Sequence, residues 1–167
     1  KFSSIGNKKS AGTKLVCLDS FFNKPGVYEI DMGTPMKKIF EEFGGGYKEE
    51  IKAFQIGGPL GGVVPIQEID NLNLDFQEFT SKGFMLGHAS VVSIPKNFSM
   101  TEYIHHLFEF SAEESCGKCF PGRLGSYRGK EMFDQAKKKT AKIPLKLLNE
   151  LLVTMQKGCL CALCGAI

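Results

Sequence analysis

Five of the chain's six cysteines lie in two short segments, Cys116 and Cys119 in one and Cys159, Cys161 and Cys164 in the other. In Glu114-Ser115-Cys116-Gly117-Lys118-Cys119-Phe120-Pro121-Gly122-Arg123 the C-x-x-C spacing sets two thiolates on one turn, close enough to serve one metal centre. Gly117 frees backbone N–H groups to point at sulfur, and Lys118 and Arg123 offset the negative charge of clustered thiolates. Taken alone, this spacing fits a redox dithiol, half of a zinc site or part of an iron–sulfur site. A redox dithiol ordinarily follows a strand in a βαβ setting, whereas this C-x-x-C follows a helical pattern and has a second cluster to join. That second cluster, Gly158-Cys159-Leu160-Cys161-Ala162-Leu163-Cys164-Gly165, keeps three thiols near one turn. Cys116 and Cys119 with two of Cys159, Cys161 and Cys164 make a four-thiolate set, which suits zinc or an iron–sulfur cluster. Cys17, alone between Leu15-Val16 and Leu18, reads as a small buried hydrophobe.

No other group carries comparable chemistry. No Ser/His/Asp arrangement or carboxylate pair has a spacing for nucleophilic or acid–base catalysis, so no catalytic residue is assigned. Gly57-Gly58-Pro59-Leu60-Gly61-Gly62 lacks the phosphate-loop pattern and reads as a turn. His88, His105 and His106 are not read as ligands, and one of the last two is expected to face solvent. Lys137-Lys138-Lys139 reads as a solvated face.

The 167 residues carry 21 Lys+Arg against 18 Asp+Glu, a formal charge of +3 that is too weak to argue for nucleic acid or an anionic membrane. With 43% hydrophobic and 23% charged residues the chain is globular in composition and long enough to fold without disulfides. No apolar run approaches the ~20 residues of a membrane span, so no direct membrane insertion is expected. The stretch from Lys1 to Ala11 is polar, with no apolar signal core, and the chain does not begin with Met, so it reads as a fragment or a processed chain. With no secretory signal, paired cysteine clusters favour metal or redox ligation over disulfides.

The elements that must position these cysteines fall into two kinds. Residues 1–13 are Ser/Gly/Lys-rich and read as a tail or connector. Lys14–Asp19, Val27–Ile30, Ile51–Ile56, Val63–Ile66 and Val91–Ile94 have strand patterns, and Asn23-Lys24-Pro25-Gly26 is a turn. Thr34 is placed to cap a helix begun by Pro35, with Met36, Ile39, Phe40 and Phe43 on one face and Gly44-Gly45-Gly46 ending it. Beyond Pro95 the period becomes helical: Ser99 with Glu102 forms a capping-box pattern ahead of Ile104, Leu107, Phe108 and Ser111. Leu124–Ala136 and Leu145–Met155 follow as amphipathic helices. The expected fold class is α+β: a small β-grasp-like domain over residues 14–95, then an all-α helical bundle over residues 96–167 that carries the cysteines.

Several of these motifs together resemble one family. Glu114-Ser-Cys-Gly-Lys-Cys-Phe-Pro and the Leu160-Cys-Ala-Leu run resemble the cluster motifs of the NADH-binding flavoprotein subunits. These are the F-type subunits of NADH-quinone oxidoreductase (complex I) and the diaphorase subunits of NAD-linked formate dehydrogenases and hydrogenases. Asn23-Lys-Pro-Gly-Val-Tyr-Glu, Gly57-Gly-Pro-Leu-Gly-Gly-Val-Val-Pro and Met85-Leu-Gly-His resemble that family's soluble-ligand-binding β-grasp domain. The Phe120-Pro121 pair and Gly125-Ser126-Tyr127-Arg128-Gly129 lean toward the formate dehydrogenase branch. The resemblance implies a 4Fe–4S cluster, with Cys116 and Cys119 as the first two ligands and Cys161 as the last. It implies FMN and NADH in a preceding domain absent from this chain, and partner subunits that include a 2Fe–2S ferredoxin-like one. It also implies a cytoplasmic location, at the inner face of a membrane where the parent complex sits on one.

The sequence departs from the family pattern at the third ligand, where Gly122 stands, while Cys164 and Cys159 are additional. In a turn, residues three apart bring their sulfurs to one centre, and residues two apart in an extended stretch do not, so Cys164 is the expected fourth ligand over Cys159. The two functions in competition are an electron-transfer module and a non-redox docking module whose cysteine site is degenerate or holds zinc.

Overall fold

Strand alternation in the first half closes into a single sheet. In the computed structural model, which describes residues 1–59 and 61–165, β1 (Thr13–Leu18) and β2 (Gly26–Asp31) pair antiparallel across the Asn23–Gly26 turn. Leu60, inside the glycine-rich loop, and positions 166 and 167 lie outside the described residues. β3 (Ile51–Ile56) pairs antiparallel with both β4 (Gly62–Pro65) and β5 (Ser90–Pro95), and β5 runs parallel to β1. The resulting order, β2-β1-β5-β3-β4, is a mixed five-stranded sheet. Asp19, just past β1, accepts the Ser93 N–H at 2.6 Å and the Ser93 hydroxyl at 3.0 Å, pinning β5 beside it.

Alternation puts Val16, Leu18, Ile30, Phe54, Ile56 and Val91 into one core with Met36, Ile39 and Phe40 from the helix. That helix runs as α1 (Met36–Lys38) into a π-helical turn at Ile39–Phe43. Gly44 closes it, bare because a Cβ there would meet the Phe22 ring at 2.5 Å, and the chain then leaves the helix through Gly45 and Gly46 at φ +69° and +75°. Two further short helices, α2 (Ile66–Ile69) and α3 (Phe76–Ser81), show no helical period, since four to six residues are too few for one to register, and α3 is marked only by its N-cap residue Asp75.

Several sequence expectations need correction. Cys17 is exposed, because β1 turns Val16 and Leu18 inward and Leu15 and Cys17 outward. Thr34 does not cap α1: Pro35 is the N-cap residue, and the Thr34 hydroxyl donates to the Asp31 carbonyl at 2.7 Å. The strand at Val63 stops at Pro65, with Ile66 already opening α2. Residues 1–12 are tied down rather than free. Phe2–Ser4 form a 3₁₀ turn, Gly6 bridges Ala11, and the Asn7 side chain donates to Asp75 at 2.8 Å.

The chain divides into two compact units, Lys1–Asn97 and Phe98–Ile167. The described part of the second unit is helical: α4 (Met100–Glu114), α5 (Phe120–Lys137), α6 (Leu145–Gly158) and α7 (Ala162–Gly165). Ser99 accepts the Glu102 N–H at 3.4 Å and so caps α4. The buried residues of α4 are Tyr103, His105, Phe108, Ser111 and Ala112, and His106 is exposed. α5 starts at Phe120, ahead of the expected Leu124, and its inner face is lined by small residues, Gly122, Gly125, Ser126 and Gly129. Leu124 itself does not lead that face; it is exposed. A Cβ on Gly129 would overlap the Phe108 ring, so the glycine lets α4 and α5 approach. His105 Nε2 and Asp134 lie 2.8 Å apart across the same pair of helices, as do Lys130 and Glu109. Among the described residues no helix is long and apolar enough to cross a membrane.

Candidate metal centre

Two chain reversals bring the cysteine clusters together. Gly117 takes φ +73° between Cys116 and Cys119, a left-handed turn that glycine adopts without a Cβ penalty. Cys119 is then extended, at φ −105° and ψ 142°, and serves as the N-cap residue of α5 with Pro121 in the first turn. On the other side α6 ends at Gly158, where a Cβ would meet the Pro121 ring at 2.8 Å. The last turn of α6 is closed by the Cys159 N–H donating to Met155 at 3.0 Å, and α7 folds Cys164 back into the interior.

Gly122 is the point where the two clusters meet. Its Cβ position lies 3.1 Å from Cys119 Sγ and 3.3 Å from Cys164 Sγ, so the two sulfurs flank a residue with no side chain. Cys164 also lies within electrostatic reach of Cys161, Cys119 and Cys116, and Cys159 within reach of Cys119, Cys164 and Cys161. The four expected ligands and Cys159 are therefore gathered at one end of the helical unit, Cys116 and Cys161 exposed, Cys119 and Cys159 half-buried and Cys164 buried. Cys17 belongs to the first unit.

The thiols are electrostatically unequal. The N–H groups of Leu160 and then Gly122 face the Cys119 sulfur and, with the Cys159 thiol, hold it below the usual thiol range. Sulfur is large and diffuse, so this is an electrostatic contact at the start of α5 and not a short capping bond. Burial first, and then the neighbouring Cys119, pushes Cys159 up to about 11. Burial also raises Cys164, against an opposing hydrogen bond with the Ser115 side chain. Sequence reasoning assigns no role to Ser115, to the Leu160 N–H, or to Ser126, whose fully buried hydroxyl donates to the Gly122 carbonyl at 2.7 Å. Ser115 is visible beside Cys116, whereas the other two emerge only once α5 and the Cys159–Cys164 segment are folded together.

This donor set suits an iron–sulfur cluster. A zinc ion needs four ligands at about 2.0–2.3 Å from one point. Among the described residues no group of three or more His, Cys, Asp or Glu is placed to hold a single metal ion. A 4Fe–4S cluster instead takes one thiolate at each of four separate irons, and five cysteine thiols are gathered here.

Comparison with known proteins agrees with this chemistry. Residues 102–167 match the family described as the NADH-ubiquinone oxidoreductase-F iron-sulfur binding region. An F-type subunit of NADH-quinone oxidoreductase from Rhizobium meliloti is 40% identical over 74% of this chain and 30% of its own length. The NADP-reducing hydrogenase subunit HndC of Solidesulfovibrio fructosivorans is 30% identical over 97% of this chain and 34% of its own length. The chain thus spans about a third of these relatives. A chain of the crystal structure of an NAD+-reducing [NiFe]-hydrogenase, at 23% identity, shares the fold with a TM-score of 0.85 over 99% of this chain and 28% of that one. Residues 102–167, 66 of the 167 positions, thus match the iron–sulfur-binding region of the F-type subunits, and the chain is similar over most of its length to such subunits of NADH-linked oxidoreductases and hydrogenases.

Proposed function

We propose that this chain is the electron-relay part of a subunit of an NADH-linked oxidoreductase, with Cys116, Cys119, Cys161 and Cys164 holding a 4Fe–4S cluster. The observation that carries this reading is the thiol-only site in which Cys119 and Cys164 flank Gly122. The cluster supplies one-electron transfer when bound. The chain's own residues do the rest. Four thiols give up their protons on ligation. Amide N–H groups of Leu160 and Gly122 offset the charge on Cys119, and Ser115 orients Cys164. Gly125 and Gly129 let Met155 and Phe108 pack close to α5, which keeps water from the inner side of the site.

In this reading residues 14–95 form a β-grasp-like domain and residues 96–167 a helical 4Fe–4S domain. Hydride donor and flavin, NADH and FMN, are bound in a further domain of the whole protein, and a 2Fe–2S ferredoxin-like subunit is among its partners. The protein works in the cytoplasm within a multi-subunit complex; the relatives it matches are themselves named as subunits. The zinc-bound docking alternative has less support, because residues 102–167 match an iron–sulfur binding region.

The test is reduction of the anaerobically purified chain. A bound cluster gives broad visible absorbance that bleaches with dithionite and regains colour on reoxidation. Absorbance that does not respond to dithionite contradicts the proposal. The chain alone is expected to leave NADH unoxidised with ferricyanide as acceptor.

A further inference from the structure

We infer that positions 122 and 164 are alternative seats for one ligand: α7 delivers the fourth thiolate through Cys164, and Gly122 is required to be bare so that it can. This rests on the cluster reading above and specifies its ligand set.

The argument is spatial. The inner face of α5 presents Gly122 between two sulfurs, with its Cβ position 3.1 Å from Cys119 Sγ and 3.3 Å from Cys164 Sγ, and 3.4 Å from Cys164 Cβ. Contacts of 3.0–3.4 Å are tighter than an ordinary van der Waals approach, so a Cβ at 122 requires each neighbouring sulfur to give by a few tenths of an ångström, and a thiol beyond it requires more. A thiol grown from position 122 would start directly beside the Cys164 side chain, 3.3 Å from its sulfur. One region therefore accepts a sulfur from α5 or from α7, but not from both. Cys164 is the more buried of the two added thiols, with 4% exposure, and Ser115 of the first cysteine segment bonds to it. Cys159 is placed differently. It is half-buried against the helical core with its thiol on Cys119, away from the Gly122 position, and its backbone closes α6 by donating to the Met155 carbonyl.

This geometry predicts a pattern across four variants of the full chain, each purified anaerobically and read by iron content and by the EPR signal of the dithionite-reduced protein. Cys164→Ala loses iron, from about four to about three or fewer per chain, with loss or conversion of the four-iron signal. Gly122→Cys alone also loses iron, because the new side chain displaces Cys119 or Cys164. Combining Gly122→Cys with Cys164→Ala restores the iron content and the four-iron signal. Cys159→Ala keeps both.

The double variant keeps the test decisive should Cys164→Ala alone fold poorly, because only a ligand exchange makes two damaging changes compensate. Full iron in Cys164→Ala overturns the inference, as does failure of the double variant to recover iron. Iron loss in Cys159→Ala with none in Cys164→Ala moves the ligand to Cys159 and overturns it too. In each of these outcomes the unmodified chain still holds iron. An unmodified chain without iron and sulfide is instead the failure of the cluster reading itself.

Discussion

The two units solve the problem of a core in opposite ways. In the first, large side chains do the work: Phe22, Phe40, Phe54 and Tyr47 pack ring against ring, with Phe40 and Phe54 centroids 4.8 Å apart, beneath a sheet of alternating Val, Leu and Ile. In the second, the helices meet through absent side chains. Gly122, Gly125 and Gly129 line the inner face of α5, and the buried hydrophobic cluster is small: Phe108, Met132, Phe133, Met155 and one cysteine, Cys164. The first unit is built on apolar burial, and in the proposed reading the second depends in addition on what its thiols bind.

Removing the iron should separate the units most sharply. Metal-ligand free energy in such small domains is folding free energy, so stripping the cluster should abolish slow hydrogen exchange in α5, α6 and α7 and leave β1, β3 and β5 protected. Equal loss in both units, or in neither, would remove the contrast. Next in size, Phe54→Ala leaves a cavity among three aromatic neighbours and should cost the first unit about 3–5 kcal/mol in urea unfolding, with iron content unchanged.

Gly129→Ala sharpens the comparison from the other side. In an isolated helix the change gains about 1 kcal/mol. Here the methyl meets the buried Phe108 ring, and overpacking of that kind costs about 1–3 kcal/mol, so the second unit should be destabilised overall. A more stable variant would show that α4 and α5 are not in close contact through this glycine.

The smallest effect concerns Asp75, the N-cap residue of α3. Burial alone would raise its carboxyl, but the Asn7 side chain, the Glu78 N–H and further bonds outweigh it and hold the group below the ordinary range. A depressed folded value means that its contribution is present above the unfolded value of about 4 and is lost as pH falls through the folded value. Asp75→Ala should therefore cost the first unit about 0.5–2 kcal/mol at neutral pH, and the gap to the unmodified chain should close as the pH is taken well below 4. A gap that is the same at pH 7 and at pH 3 would assign the effect to packing and not to charge.

What could be read from the sequence follows the range of the forces involved. The cysteine site is legible because C-x-x-C and C-x-C-x-x-C encode ligation locally, and the family motifs around them are specific. The strands are legible because a period of two survives in six residues. Cys17 is misleading because the apolar run around it hides which residues face inward, a choice made by pairing with β2 and β5. The anchoring of residues 1–12 depends on Asn7 meeting Asp75, a contact between residues far apart in the chain. The glycine face of α5 escapes because a hydrophobic count looks for Leu124 and Tyr127, which are exposed, and gives no weight to residues whose use is to let a neighbour come near.

The most direct measurement is a count of metal and sulfide in the anaerobically purified chain. A four-thiolate site holding a 4Fe–4S cluster predicts about four iron and about four acid-labile sulfide per chain, with zinc at background. About one zinc per chain and no sulfide would contradict the account, because it would make the cysteine site a structural zinc site with no electron to pass.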